Sequence, residues 1–182
     1  GAFRETCVYP VHEVHFVHKP MKITQRDLEQ RGMIIPEVRF RDAIDRFVEM
    51  DRANPPAPGG ILFTGDSDIR FWTFEDRFAS DFAGLPVLNR GFGGARTWES
   101  LIYFPETVLP SRPRLIVFCC GDNDIATLGE PGVESAVNGF MYFMDLVFGQ
   151  APSVKRILYL GIHPSPGDEP LWGFIAKANV RL

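Results

Sequence analysis

The chain has 182 residues, 45% of them hydrophobic, which is enough for one domain with a substantial core. Its formal net charge is −4, and basic and acidic residues are interspersed, so we expect no nucleic-acid partner. No apolar run approaches the ~20 residues of a membrane span, so we expect no membrane partner either. Three cysteines, Cys7, Cys119 and Cys120, make no disulfide framework, and a reducing cytoplasm is the default location.

Residues 1–36 show no clear hydrophobic period, and we expect a poorly defined arm ahead of the domain. His12, His15 and His18 are three residues apart, which would suit a zinc site if this segment were helical. Prolines on both sides of the stretch favour an extended arm instead. The chain begins with Gly rather than Met, so an earlier loss of a leader is compatible with the sequence.

From residue 37 onward, helical and strand patterns alternate. The first convincing helix spans 37–52, where Phe40, Ile44, Phe47 and Val48 lie on one face. After a Pro-rich linker, apolar runs predict strands at 61–64, 86–88, 115–120 and 156–162. Helical patterns occupy 71–82, 97–104, 133–148 and the chain from 171 onward. This alternation predicts an α/β fold, with a mostly parallel sheet between layers of helices.

A polar turn follows each of the first three strands. Because parallel strands end at the same edge of a sheet, these turns are expected to converge there. Ser67 is then a candidate nucleophile, and the N–H groups of Ser67 and Gly94 and the Asn123 amide are candidate oxyanion donors. Taken alone, Ser67 is as well explained as the cap of the next helix. The turns read Gly65-Asp66-Ser67, Asn89-Arg90-Gly91-Phe92-Gly93-Gly94 and Gly121-Asp122-Asn123-Asp124.

The three turns resemble the first three sequence blocks of the SGNH, or GDSL-type, esterases and lipases. The resemblance covers residues 37–182 and is closest to a bacterial branch of that family. It implies a flavodoxin-like, three-layer α/β/α sandwich with one SGNH hydrolase-like domain. Three more segments carry it: Ala53-Asn54-Pro55-Pro56, Ile69-Arg70-Phe71-Trp72 and His163-Pro164-Ser165-Pro166.

The resemblance also implies an activity, namely hydrolysis of carboxylic esters with small acyl groups, such as acetyl, through a serine acyl-enzyme. By position, Ser67 would be the nucleophile, and Gly94 and Asn123 would be the oxyanion partners. Asp66 and Asp124 would support the turns. The partner would be a small-molecule ester, and neither a metal nor an organic cofactor is implied.

The sequence departs from the family at the catalytic base. The family uses a His three residues after an Asp, in a turn after a fifth strand, and no Asp-x-x-His occurs in this chain. We therefore expect about fifty residues, with a last strand and helix, beyond Leu182. His163 lies at the edge that carries the turns, but about 10 Å separates the ends of strands one and four. A structural or substrate-rim role is favoured for His163 over that of a base.

Two other functions stay open. A chain without its base would suit an SGNH-fold protein that binds a ligand without catalysis. Asp66 and Asp68 flank Ser67 like the Asp-x-Asp of magnesium phosphatases, but Arg70 stands where that family has Thr. Asp66 is rather expected to accept backbone N–H bonds, and Asp68 to favour the helix dipole. The acyl and alcohol groups and the oligomeric state are not specified by the sequence.

Overall fold

The computed structural model describes residues 22–182. Four strands form one parallel sheet in the order β2-β1-β3-β4. Gly65 pairs in register with Gly91 and Cys119, so the first three strands end at the same level. The strands are β1 Ile61–Gly65, β2 Val87–Gly91, β3 Leu115–Cys119 and β4 Arg156–Tyr159.

Helices cover both faces of this sheet. None of those formed by residues 22–182 combines the length and the apolar character that a membrane crossing requires. They are α1 Gln25–Glu29, α2 Arg41–Ala53, α3 Ser67–Phe71, α4 Arg77–Asp81, α5 Thr97–Ile102, α6 Phe104–Thr107, α7 Asp122–Leu128, α8 Glu130–Gln150 and α9 Trp172–Asn179.

The two faces of the sheet belong to separate cores. Leu62, Ile116 and Phe118 pack against α5, α6 and α8 in the main core. Phe63 and Val117 point the other way, toward α3 and α4. Alternation of side chains along each strand produces this division. The α/β class and the three-layer α/β/α sandwich predicted from the sequence are therefore confirmed.

The described part of the expected arm packs as part of the domain. Ile23, Leu28, Met33 and Ile35 are all buried in the main core. Their irregular spacing carries no helical or strand period, which is why the sequence predicted no structure there. The three N-terminal histidines lie outside the described residues, and the boundary at residue 36 stays a prediction.

Several predicted elements are wrong in their bounds: the first helix begins at Arg41 and not at 37, and β4 ends at Tyr159 and not at 162. The expected helix over 71–82 is broken into α3, a 3-10 turn at Phe74–Asp76 and α4, and Glu75 and Asp76 both have φ of 56°. Strand β2 runs on to Gly91, so Asn89 and Arg90 belong to the strand and not to the turn after it. Both polar side chains have partners there, because Asn89 donates to Ile69 O and Arg90 pairs with Asp51.

Candidate active site

The first turn presents Ser67 at the end of β1. Gly65 has φ of +135°, and a Cβ there would lie 1.8 Å from Cys119 O, so only glycine fits. Asp66 caps α3 by accepting the Asp68 N–H at 3.0 Å, as expected. Ser67 is the first residue of α3, where a backbone N–H has no intrahelical acceptor. Within residues 22–182 its hydroxyl is also unpaired, so both groups are available to a ligand.

The second turn lies beside the first. Phe92 N–H donates to Gly65 O at 3.0 Å, which joins the turn to the end of β1. Gly94 has φ of +79°, and its N–H has no acceptor in the part of the chain that the structure describes. The Gly94 carbonyl accepts a hydrogen bond of 2.8 Å from Arg39. The Arg39 guanidinium also donates two hydrogen bonds of 3.1 Å to the carboxylate of Glu99, which is fully buried. This anchorage holds the Gly94 backbone in place.

The third turn meets the second through Asn123. Its side-chain amide donates to Ala95 O at 3.2 Å and to Asp122 Oδ1 at 2.9 Å. The structure therefore brings Asn123 to the backbone next to Gly94, as the sequence predicts. Both amide hydrogens are engaged, so Asn123 must release one of these acceptors before it can donate to an oxyanion.

The carboxyl groups of Asp66 and Asp122 couple the first turn to the third. Asp66 is 1% exposed and Asp122 is half-buried, and the two carboxyl groups interact electrostatically. Burial raises the pKa of both groups, and repulsion from Asp122 raises the pKa of Asp66 further. A single proton shared between the two carboxyl groups would relieve this repulsion.

Asp124 joins the third turn to the helix that follows the second. Its carboxylate accepts from Thr97 N at 2.8 Å, Thr97 Oγ1 at 3.1 Å and Ser135 Oγ at 2.9 Å. The side chain is fully buried, and burial raises its pKa to about 7 even though these three hydrogen bonds favour the ionised form. The geometry fits the supporting role that the sequence predicts for Asp124.

His163 approaches the first turn through its contact with Asp68. Its Nδ1 is 3.1 Å from Oδ2 of Asp68, the residue directly after Ser67. The loop after β4 reaches α3 because Leu160 packs against the cluster that contains Ile69 of α3. A loop residue is not bound to the lateral spacing of its strand.

One group of residues has the spacing of metal ligands. Ligand atoms of Asp66, Asp68 and Cys119 all lie within 4.8 Å of one another. Burial raises the pKa of Asp66 and of the Cys119 thiol, so both groups hold protons that a cation would have to displace. Magnesium also prefers oxygen ligands to sulfur. These residues therefore do not fit the magnesium site that a phosphatase would need.

Several residues of the site were not found by sequence analysis. Arg39 and Glu99 anchor Gly94 but are 60 residues apart, and nothing local marks either of them. Asp66 and Asp122 each belong to a turn that the sequence singles out, but only the folded chain shows that their two carboxyl groups interact. The sequence predicts for Asp68 either a place at the helix dipole or a part in a phosphatase motif, and only the folded chain shows its contact with His163.

No protein-family model matches the chain, and no curated protein is significantly similar in sequence. Solved structures do match. A GDSL-like lipase from Bacteroides thetaiotaomicron has a TM-score of 0.61 at 20% identity, over 76% of this chain and 70% of the lipase. A provisionally named acylhydrolase from Bacteroides fragilis has a TM-score of 0.61 at 22% identity, and the match covers 79% of this chain and 71% of the acylhydrolase chain.

A third match is a point variant of an acetyl-xylooligosaccharide esterase from Geobacillus, with a TM-score of 0.51 at 16% identity. It covers 68% of this chain and 70% of the esterase. At such identities the likeness concerns the fold, and it agrees with the sheet order and with the three turns at one edge. The chain has the fold of the SGNH, or GDSL-type, esterases.

Proposed function

We propose that the protein hydrolyses carboxylic esters, with Ser67 as the nucleophile. One observation carries this proposal: the hydroxyl and N–H of Ser67 and the N–H of Gly94 have no partner within residues 22–182. The carboxyl groups of Asp66, Asp122 and Asp124 just beneath them are all hydrogen-bonded. Free donors next to a free hydroxyl are what an acyl-transfer site requires.

In the proposed reaction, Ser67 Oγ attacks the acyl carbon and gives its proton to a base. The carbonyl oxygen takes the electron pair of the broken π bond and accepts hydrogen bonds from the N–H groups of Ser67 and Gly94 and from Asn123. Collapse expels the alcohol, which takes the proton from the base. Water then attacks the acyl-enzyme in the same manner and releases the acid and free Ser67.

Small acyl groups, above all acetyl, are the proposed acyl part of the substrate. The neighbour from Geobacillus is named for activity on acetylated xylooligosaccharides, which supports the choice of an acetyl ester as the first substrate to test. Comparison of p-nitrophenyl acetate with p-nitrophenyl octanoate tests this part. Faster turnover of the octanoate would contradict it.

The test of the nucleophile is Ser67→Ala, with Ser80→Ala as its matched control. Ser80 is an exposed serine whose hydroxyl donates to the carbonyl of Arg77, three residues earlier. We expect Ser67→Ala to reduce turnover of p-nitrophenyl acetate to background with an unchanged free energy of unfolding, and Ser80→Ala to behave as wild type. Near-normal turnover by Ser67→Ala would refute the assignment.

Ligand binding without catalysis is a second candidate. It is favoured by the finding that no hydrogen bond joins Ser67 to a base in the described part of the chain. It predicts that the wild-type protein binds an ester without turnover, and that Ser67→Ala binds it equally well. Calorimetry with a non-hydrolysable phosphonate ester, combined with the turnover assay, distinguishes the two functions.

A further inference from the structure

A cavity of about 400 Å³ lies between α2, α3 and the second turn, next to the candidate active site. Its volume falls within the range of about 300–1,000 Å³ that is usual for pockets that bind small molecules. Arg46 of α2 and Arg70 of α3 line this cavity, and no Asp or Glu of residues 22–182 does so. Phe40, Phe47 and Gly93 are also part of its wall. The cavity therefore combines two positive charges with a partly apolar surface.

The charges of these two arginines are not neutralised by a neighbouring carboxylate. In the part of the chain that the structure describes, neither Arg46 nor Arg70 forms an ion pair or a side-chain hydrogen bond. By contrast, Arg41 on the same helix as Arg46 pairs with both Asp45 and Glu106. Arg46 and Arg70 are both exposed, so their N–H groups are open to a ligand. The cavity can therefore accept an anion without first breaking an ion pair.

The second turn leaves room for Arg70 by means of two glycines. A Cβ on Gly93 would lie 2.9 Å from Arg70 Nη1, and a Cβ on Gly91 would lie 2.6 Å from Arg70 N. Because neither residue has a Cβ, α3 and the Arg70 guanidinium can both lie against the turn. The end of α3 is held as well, since the Thr73 hydroxyl donates to Arg70 O at 2.8 Å. The fold therefore places an unpaired guanidinium directly beside Gly93.

The cavity adjoins the proposed nucleophile and oxyanion donors. Gly93 in its wall directly precedes Gly94, and consecutive Cα atoms are about 3.8 Å apart. The ring of Phe40 reaches the same place, since its Cζ lies 3.7 Å from the position of a Cβ on Gly94. Ser67 and Arg70 both belong to α3 and are three residues apart, a spacing that puts two side chains on one side of a helix. One molecule can therefore contact the cavity and Ser67 together.

We propose that this cavity binds an anionic group on the alcohol part of the ester substrate, through Arg46 and Arg70; this inference rests on the proposed function. An acetyl group carries no charge, so the charge belongs to the alcohol. Carboxylate and phosphate groups share the required chemistry, because each offers several anionic oxygens to the N–H groups of a guanidinium. The substrate class is then an acetyl ester of an alcohol that bears a carboxylate or a phosphate.

The test compares kcat/KM for meta-acetoxybenzoate and meta-acetoxyphenyl phosphate with that for the neutral meta-acetoxybenzamide. We expect the wild type to favour at least one of the anionic esters by about tenfold or more, as a hydrogen-bonded charge pair would produce. We expect Arg70→Gln and Arg46→Gln each to remove most of this preference. The ratio is the readout, because mere damage to the second turn would slow all three esters alike. Arg52→Gln, at an exposed residue of α2 outside the cavity, is the matched control.

The two anionic esters also distinguish the two sources of charge. A larger advantage for the phosphate ester would support an alcohol that bears a phosphate, and a larger advantage for the benzoate would support one that bears a carboxylate. Arg70→Lys keeps the charge and is expected to retain part of the preference.

The outcomes separate this inference from the function on which it rests. Ser67-dependent hydrolysis with no preference for either anionic ester, or with a preference that both arginine variants retain, would overturn the inference and leave the esterase proposal standing. Calorimetry of meta-acetoxybenzoate and meta-acetoxyphenyl phosphate with Ser67→Ala, with and without Arg70→Gln, measures binding in the absence of hydrolysis. Binding that requires Arg70, in a protein whose wild type does not hydrolyse the ester, would refute the esterase proposal and support the cavity as an anion site. Absence of both hydrolysis and Arg70-dependent binding would overturn both.

Discussion

Two regions at the carboxyl edge of the sheet differ in how their polar groups are satisfied. The rim, formed by Ser67 and Gly94, keeps a hydroxyl and two N–H groups without partners in the described structure. The support beneath it, formed by Asp66, Asp122 and Asp124, buries carboxyl groups and hydrogen-bonds each of them. Asn123 touches both regions through its bonds to Ala95 O and Asp122.

This difference shows how a rigid site can stay reactive. Groups that react must remain unpaired, so they cannot hold themselves in position. The support does so from beneath, because Asp66 and Asp122 bond the backbone of their own turns and Asp124 ties the third turn to α5 and α8. Substitutions in the support are therefore expected to lower stability, whereas substitutions at the rim are expected to lower the rate alone.

The largest effect on stability is expected from Asp124→Ala. The change leaves the Thr97 N–H and the hydroxyls of Thr97 and Ser135 without their acceptor in a fully buried site. We expect a loss of about 3–5 kcal/mol in the free energy of unfolding, measured by urea denaturation. Asp124→Asn is the matched control, since its amide can still bond both partners. A loss under about 1 kcal/mol for Asp124→Ala would show that the support is not needed.

Asn123→Ala is expected to have its main effect on the rate. Loss of one oxyanion donor costs about 10²–10³ in turnover, or about 3–4 kcal/mol of activation free energy. The Asn123 side chain is only half-buried, so we expect the unfolding curve to shift little. Turnover and urea denaturation of the same preparation check both parts. A loss of stability with intact turnover would place Asn123 in the support and not at the rim.

The support is also expected to make stability depend on pH. The pKa of Asp124 is raised to about 7 in the folded chain, whereas the pKa of an unfolded Asp is about 4. The folded chain therefore binds the Asp124 proton more tightly than the unfolded chain does. The contribution of Asp124 is complete below pH 4 and is lost as the pH rises toward 7, at about 1.4 kcal/mol per pH unit. Burial shifts the pKa values of Asp66 and Asp122 in the same direction.

Urea denaturation at pH 5 and pH 7 measures this dependence. Wild type is expected to lose more stability than Asp124→Asn over the interval, because the variant has no carboxyl group to ionise at that position. Equal losses in the two proteins would mean that Asp124 does not titrate in this range.

The smallest effect is expected from Arg39→Lys, which tests the link between a buried charge and the rim. A lysine keeps the charge opposite Glu99 but cannot bond both its carboxylate and Gly94 O with one planar group. We expect a loss of about 1–2 kcal/mol in stability and a reduction in turnover of less than about tenfold. Arg112→Lys, at an exposed residue outside the site, is the control. An unchanged rate and stability would mean that Gly94 needs no anchor.

The sequence by itself determined the sheet and the edge at which the site lies. Apolar runs at 61–64 and 115–120 predict buried parallel strands, and their polar turns must then meet at one edge. These features depend on residues close together in the chain or on a rule that holds for every parallel sheet.

The tertiary structure alone decided which side chains meet. The contact of Asp68 with His163, the anchor from Arg39 to Gly94 and the burial of Ile23 and Leu28 join distant parts of the chain and leave no periodic signal. His163 illustrates the reason most clearly. Strand spacing places the end of β4 far from Ser67, but the packing of Leu160 and Ile162 carries the following loop back to the edge of the site.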